Sequence, residues 1–159
     1  MSGVIFTMPP HTGAIAQAVE WACSSAPGWA ERARIALGLT EALTNAVVHG
    51  TLGIASGARD VDLGLYLDDI EDASLRARRG ERVRITVERD ASVFTIALAW
   101  SNHACPERLR RRPDEPDPLA THGRGLTIIY SSFDRVLWSD DGKSMAMLLL
   151  RGADAVSQT

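Results

Sequence analysis

The chain has 159 residues, 45% of them hydrophobic and 23% charged, which suits one folded domain and excludes a disordered one. Its net charge of −3 provides no general attraction to nucleic acid or an anionic membrane. No run approaches the roughly 20 apolar residues of a membrane span, and Met1 to Phe6 lack a basic, apolar leader, so the expected location is the cytoplasm.

Val4 to Thr7 read as a short edge strand, ended by Pro9-Pro10. Residues 11–25 form a helix with Ile15, Val19 and Ala22 on one side, and Pro27-Gly28 breaks it. A second helix covers about residues 29–48, with Ile35, Leu39, Leu43 and Val47 as its core stripe. Residues 54–80 are an insertion. Leu63, Leu67 and Ile70 fall there at helical spacing, and Arg76, Arg78 and Arg79 close it as a solvated end.

Val83, Ile85 and Val87 alternate with Arg84, Thr86 and Glu88, the pattern of a half-buried strand. Arg89-Asp90-Ala91 turn the chain into a nearly all-apolar central strand, residues 93–100. Residues 106–122 are a polar, proline-containing loop with Arg108, Arg110, Arg111 and Arg112. A helix over 126–132 and strands over 135–139 and 144–150 follow, the strands joined by the hairpin signal Asp140-Asp141-Gly142. The expected fold class is α+β, a two-layer sandwich with helices on one face of a mixed, mostly antiparallel sheet. Residues 1–151 make one domain, and 152–159 are a loose tail. Cys23 and Cys105 are far apart with no C-x-x-C, so both are expected as reduced thiols, and the histidines show no metal-ligand spacing with them.

Two motifs carry chemistry. In Glu41-Ala42-Leu43-Thr44-Asn45-Ala46-Val47-Val48-His49-Gly50, the residues Glu41, Asn45 and His49 lie four apart and so share a helical face. A carboxylate can accept a proton or orient a nucleophile, and a carboxamide oxygen one turn on can ligate magnesium. The same residues also suit an ordinary exposed helix with a His-Gly stop. In the second motif, Thr121-His122-Gly123-Arg124-Gly125-Leu126, a glycine loop runs into a helix. Glycines admit a ligand close to the backbone, and a helix N-terminus favours phosphate. Alone, such a G-x-G is more often a turn.

Together the pair resembles the ATP-binding domain of the GHKL superfamily of gyrase-type, chaperone-type and histidine-kinase-type ATPases. It is most similar to the bacterial anti-sigma-factor serine kinases of partner-switching pathways. Glu41 to Gly50 looks like their E-A-x-x-N-A-x-x-H-G box. Gly123 to Leu126 with Phe133-Asp134-Arg135-Val136 looks like G-R-G-L and F-D-x-V, and Gly142-Lys143-Ser144 like the opening of the last strand. His49 to Ile54, the insertion and then Arg82-Val83 resemble a subgroup often fused behind response-regulator receivers. The resemblance spans about residues 5–151.

The resemblance implies ATP and Mg2+ as cofactors. Glu41 would be the catalytic base and Asn45 the magnesium ligand. Gly123, Arg124 and Gly125 would cradle the phosphates, His49 and Leu126 would line the site, and Ser144 would hold an adenine-side water. Residues 106–122 would be the lid, whose arginines face phosphates or an acidic partner, or simply solvent. The implied partners are an anti-sigma-factor antagonist and a sigma factor, with a receiver on another chain and a homodimer as further expectations.

The family's D-x-G-x-G-F-D-P run is altered. Aligned on Pro106, Ala99 replaces the adenine-binding Asp, and Ser101 and His103 replace glycines, leaving Asn102 as the substitute acceptor. Losing such a buried hydrogen bond costs on the order of 1–3 kcal/mol. Two functions therefore remain open at this stage. One is an ATP-dependent serine kinase. The other is a degenerate, non-catalytic binder of a sigma factor or antagonist.

Overall fold

The computed structural model describes residues 3–55, 62–77, 80–111 and 124–152. Five strands are described: β1 Val4–Met8, β2 Val83–Arg89, β3 Val93–Ala99, β4 Arg135–Trp138 and β5 Ser144–Leu150. They form one sheet in the order β1-β2-β3-β5-β4, and every described pairing is antiparallel. The expected sheet was mixed and mostly antiparallel.

The strands owe their faces to period-two alternation. Val83, Ile85 and Val87, then Phe94, Ile96 and Leu98, then Met145, Met147 and Leu149 are buried on one face. Arg84, Thr86, Ala97, Ala99, Ser144 and Ala146 line a groove on the other, open face.

Four α-helices are described: α1 Ile15–Ser24, α2 Arg32–Thr44, α3 Leu63–Arg76 and α4 Arg124–Ser132. Ile35, Leu39, Leu43 and Val47 of the second helical segment are fully buried with the inward strand residues, as their spacing predicts. The result is an α+β sandwich with helices covering one sheet face. At the distant edge, β1 exposes Val4 and Ile5, as an edge strand does.

The insertion forms a helix, but on a different stripe. Tyr66 and Ile70, four apart, are buried, whereas Leu63 and Leu67 are 53% and 55% exposed. Asp62 caps this helix by accepting from Leu65 N–H at 3.0 Å. That cap fixes the start of α3, and Tyr66 then takes the inward position expected of Leu67.

Among the described residues, no helix is long and apolar enough to cross a membrane.

Candidate functional site

The site begins with a ladder of contacts between α2 and α4. At one end, Arg34 reaches the Asp134 carboxylate at 2.8 Å. One turn on, Gly38 lets the helices touch: a Cβ there would stand 2.5 Å from Ser132 Cβ and 2.6 Å from the Phe133 ring. A glycine inside a helix costs about 1 kcal/mol relative to alanine, and here the close approach offsets it. The contacts set α4 antiparallel to α2, so the first residues of α4 arrive at the far end of α2.

There the two motifs meet. A Cβ on Gly125 would lie 2.8 Å from Glu41 Oε2 and 3.7 Å from Asn45 Nδ2. Any side chain at 125 would displace the carboxylate. Glu41, Asn45, Gly125 and Leu126 are all half-exposed, and Arg124 is exposed. Acid, amide and helix start therefore converge on one accessible patch. The early N–H groups of α4 and its positive end face a place where an anion would be welcome. Gly123, with the neighbouring Thr121 and His122, lies outside the described residues.

His49 is held by a structural bond. After Thr44 the backbone widens into a π-type winding over Asn45–Thr51. One of its bonds is Leu52 N–H to Val47 O at 2.9 Å, an i→i+5 pairing. His49 lies within this winding. Its Nδ1 hydrogen-bonds the Ile54 carbonyl, so this ring fastens the chain that follows the helix.

The end of β3 corrects the register proposed for the base-binding run. Ala99 points to the open face with Arg84, Thr86 and Ala97, away from Glu41 and Asn45. Trp100 is the next residue, and alternation sends it to the helix side. It is buried there, and a Cβ on Gly50 would overlap its indole. The indole N–H donates to His103 O at 2.9 Å. Thus Trp100, not Ala99, holds the helix-facing position at the end of this strand. Asn102 sits at φ +78°, the left-handed region where a glycine is at ease. Its side-chain NH2 donates to Thr51 O at 2.9 Å and Glu81 Oε1 at 3.2 Å, so it braces the loop. Counting from Phe94, Ile96 and Leu98 by twos would have found Trp100 from sequence. Aligning on Pro106 missed it by one residue.

Ser144 opens β5 opposite Ala99, on the open face. The sheet therefore lies between its side chain and the Glu41 patch. Its backbone N–H donates to Ser139 Oγ at 3.0 Å, which closes the β4–β5 hairpin around Gly142 at φ +66°.

Of the loop arginines, Arg110 is committed to structure. Its Nε donates to Cys105 O and its Nη1 to Asp140 O, both at 2.8 Å. Its own carbonyl accepts from Tyr130 Oη at 2.7 Å, and that hydroxyl accepts from Trp138 Nε1 at 3.0 Å. Trp138 in turn stands edge-on to Trp100, ring centres 6.1 Å apart. Arg108 and Arg111 are exposed, and Arg112 lies outside the described residues with the rest of 112–123.

Burial raises the Tyr130 hydroxyl above its ordinary pKa, more than the Trp138 bond lowers it. Burial likewise raises the Cys105 thiol, against the pull of Arg110, and raises Cys23 with help from Glu20. Both cysteines are free and stay protonated at neutral pH, which makes them poor nucleophiles.

Compared with known families, residues 9–149 match the histidine kinase-like ATPase domain. The chain belongs to that family. No curated protein matches the chain. Domains of this family generally bind ATP with magnesium.

The phosphate end of such a site fits the residues present. Gly125 leaves a space that any Cβ would fill, and the Asn45 carboxamide stands beside it, its Nδ2 at 3.7 Å from that Cβ. Among the described residues no group of three His, Cys, Asp or Glu gathers to hold a metal. Magnesium suits this, since it keeps several waters and takes one or two protein ligands plus phosphate oxygens.

Proposed function

We propose that this chain is a regulatory ATP-binding protein of the partner-switching type, acting as a serine kinase on an anti-sigma-factor antagonist. The observation that carries this reading is the contact of Gly125 with Glu41 and Asn45. It joins an acid, a magnesium-type amide and a helix start in one accessible place.

Bound ATP with magnesium would supply the transferable phosphoryl group and neutralise its charge. Asn45 would hold the metal through its carboxamide. Glu41 accepts the proton of the attacking serine hydroxyl, or orients it. The start of α4, with Arg124, Gly125 and Leu126, would offer N–H groups to phosphate oxygens, and the resemblance adds Gly123 to that set. The work of the protein is positioning and charge compensation, and both depend on the α2–α4 ladder.

In the proposed cycle the unmodified antagonist occupies this protein. The phosphorylated form leaves, and a sigma factor is bound instead. All of this takes place in the cytoplasm.

A second reading is regulation by binding alone. Trp100 favours it, because its single donor already serves His103 O and an indole has no acceptor to offer a base.

The test is transfer of label from γ-labelled ATP to antagonist-type proteins of the source cell, purified individually. The kinase reading predicts one serine-labelled protein with the wild-type chain and at least about a hundredfold less with Glu41→Ala. Partner binding without any labelled serine would replace the kinase by the second reading.

A further inference from the structure

A groove runs between α1 and α3, apart from the site described above. Val19 and Glu20 of α1 form one wall, Leu67 and Glu71 of α3 the other, and Thr44 and Val48 the floor. Its volume is about 960 Å³, near the top of the range of roughly 300–1,000 Å³ that encloses small ligands. Leu63 and Leu67 on its wall are 53% and 55% exposed, so the cleft is open rather than enclosed.

Tyr66 and Ile70 hold α3 to the core. Leu63, Leu67 and Glu71 repeat every four residues on the adjacent stripe and turn to the groove. Two large apolar side chains are thus left in water beside an apolar floor, which favours an occupant. Ser74, also in the lining, has a buried hydroxyl with no hydrogen-bond partner. Such a group is costly, and a polar side chain of an occupant would satisfy it.

The charge of the groove is one-sided. Glu20 and Glu71 face it from opposite walls, and no Lys or Arg is among the described lining. Neither carboxylate has a hydrogen bond or ion pair among the described residues. His11 is there too, its Nδ1 accepting from Gly13 N–H. Asp68, Asp69 and Asp72 add to the negative field of α3, offset within that helix by Arg76 alone. The walls are helices, whose backbone groups bond within themselves, so an extended segment would find no main-chain partner there. A helix meets its own backbone needs and can lay one face in such a groove.

We propose that this groove docks a partner helix that carries an apolar stripe flanked by Lys or Arg. The stripe covers Val19, Leu63 and Leu67, and the cations meet Glu20 and Glu71, one on each side. The ten residues of α1 give a seat about 15 Å long, or about three helical turns. Thr44 is the chain neighbour of Asn45, so the docked helix lies along the segment that carries the phosphate-end residues. A second copy pairing through α3 would set like charges against each other, which opposes it. The docking does not depend on nucleotide.

The test uses two labelled synthetic helices of identical leucine pattern, one with lysine and one with glutamate at the polar positions. Each is titrated with the full chain and followed by fluorescence anisotropy. The lysine helix should bind at least about tenfold more tightly than the glutamate helix and loosen as salt rises. Leu67→Gln, and Glu20→Gln combined with Glu71→Gln, lie at exposed positions. Each should weaken binding about fivefold or more with an unchanged melting temperature. Leu137→Gln, on the open sheet face, should leave binding as in wild type. Equal binding of the two helices, equal binding by wild type and Leu67→Gln, or no binding would overturn the proposal. A wild type that sediments as a dimer while Leu67→Gln is a monomer would overturn it in favour of a second copy.

Discussion

Gly125 stands so close to Glu41 that a methyl group on it would lie 2.8 Å from carboxylate Oε2. Two residues 84 positions apart (125 − 41), one from each motif, are thereby brought into one site. The approach is tighter than ordinary van der Waals contact and leaves room for hydrogen only. Gly125→Ala should turn the Glu41 carboxylate away and lower magnesium-nucleotide binding or transfer by about tenfold or more. Alanine is a better helix former than glycine, so thermal stability should change little. Calorimetry and a melting curve on the same preparation check both halves.

Gly38 sets the distance between the helices that carry the site. Gly38→Ala would bring a Cβ to 2.5 Å from Ser132 Cβ, and neither backbone can yield without separating α2 from α4. Overpacking of this kind costs about 1–3 kcal/mol, or roughly 2–10 °C in melting temperature for a chain of this size. Ligand binding should fall with it, because Gly125 rides on α4. A variant that melted like wild type would mean that the helices are not in contact at Gly38.

Asp134 anchors the other end of the ladder and gives it a pH dependence. Burial raises its pKa, but the Leu150 N–H bond and the Arg34 guanidinium outweigh burial and hold the carboxyl below its ordinary value of 3.8. A carboxyl with a lower pKa folded than unfolded stabilises the fold fully above the unfolded value. That contribution is lost as pH falls through the folded value. Acid unfolding of the wild type should therefore steepen below about pH 4, and Asp134→Asn should flatten that limb. Both partners are about one-third exposed, so the loss at neutral pH should be only on the order of 1 kcal/mol. An unchanged acid limb in the variant would remove Asp134 from the account.

Tyr130 joins three parts of the fold through one hydroxyl, donating to Arg110 O and accepting from Trp138 Nε1. Tyr130→Phe leaves both partners without that bond in a part-buried place. The expected cost is about 1–3 kcal/mol, read as a lower urea midpoint with unchanged slope. Stability equal to wild type would show that solvent replaces the hydroxyl on both sides.

The fold was legible because its signals are local and periodic. Ile35, Leu39, Leu43 and Val47 repeat every four residues, and Val83, Ile85 and Val87 every two, and all seven are buried. Glu41 and Asn45 were legible for the same reason. Their meeting with Gly125 depends on Gly38, whose only signal is a missing side chain in the middle of a helix. The bond of His49 to Ile54 O was not legible, because a π-type winding leaves no mark in a residue pattern read at 3.6 per turn. Ala99 and Trp100 lie on opposite faces, which strand alternation tells and a proline downstream does not. One residue of slip exchanges the two faces of a sheet, and it hid Trp100. Ser144 slipped for a related reason: resemblance gave its position along the chain but not the face it occupies.

The central claim is that Asn45, beside Glu41 and Gly125, holds magnesium and the phosphates. It is tested most directly by calorimetric titration of ATP into the full chain, with magnesium and with the metal chelated, for wild type and Asn45→Ala. The account predicts binding to the wild type that requires magnesium and is weakened at least about tenfold in the variant. Magnesium-dependent binding of equal strength in both proteins would contradict it.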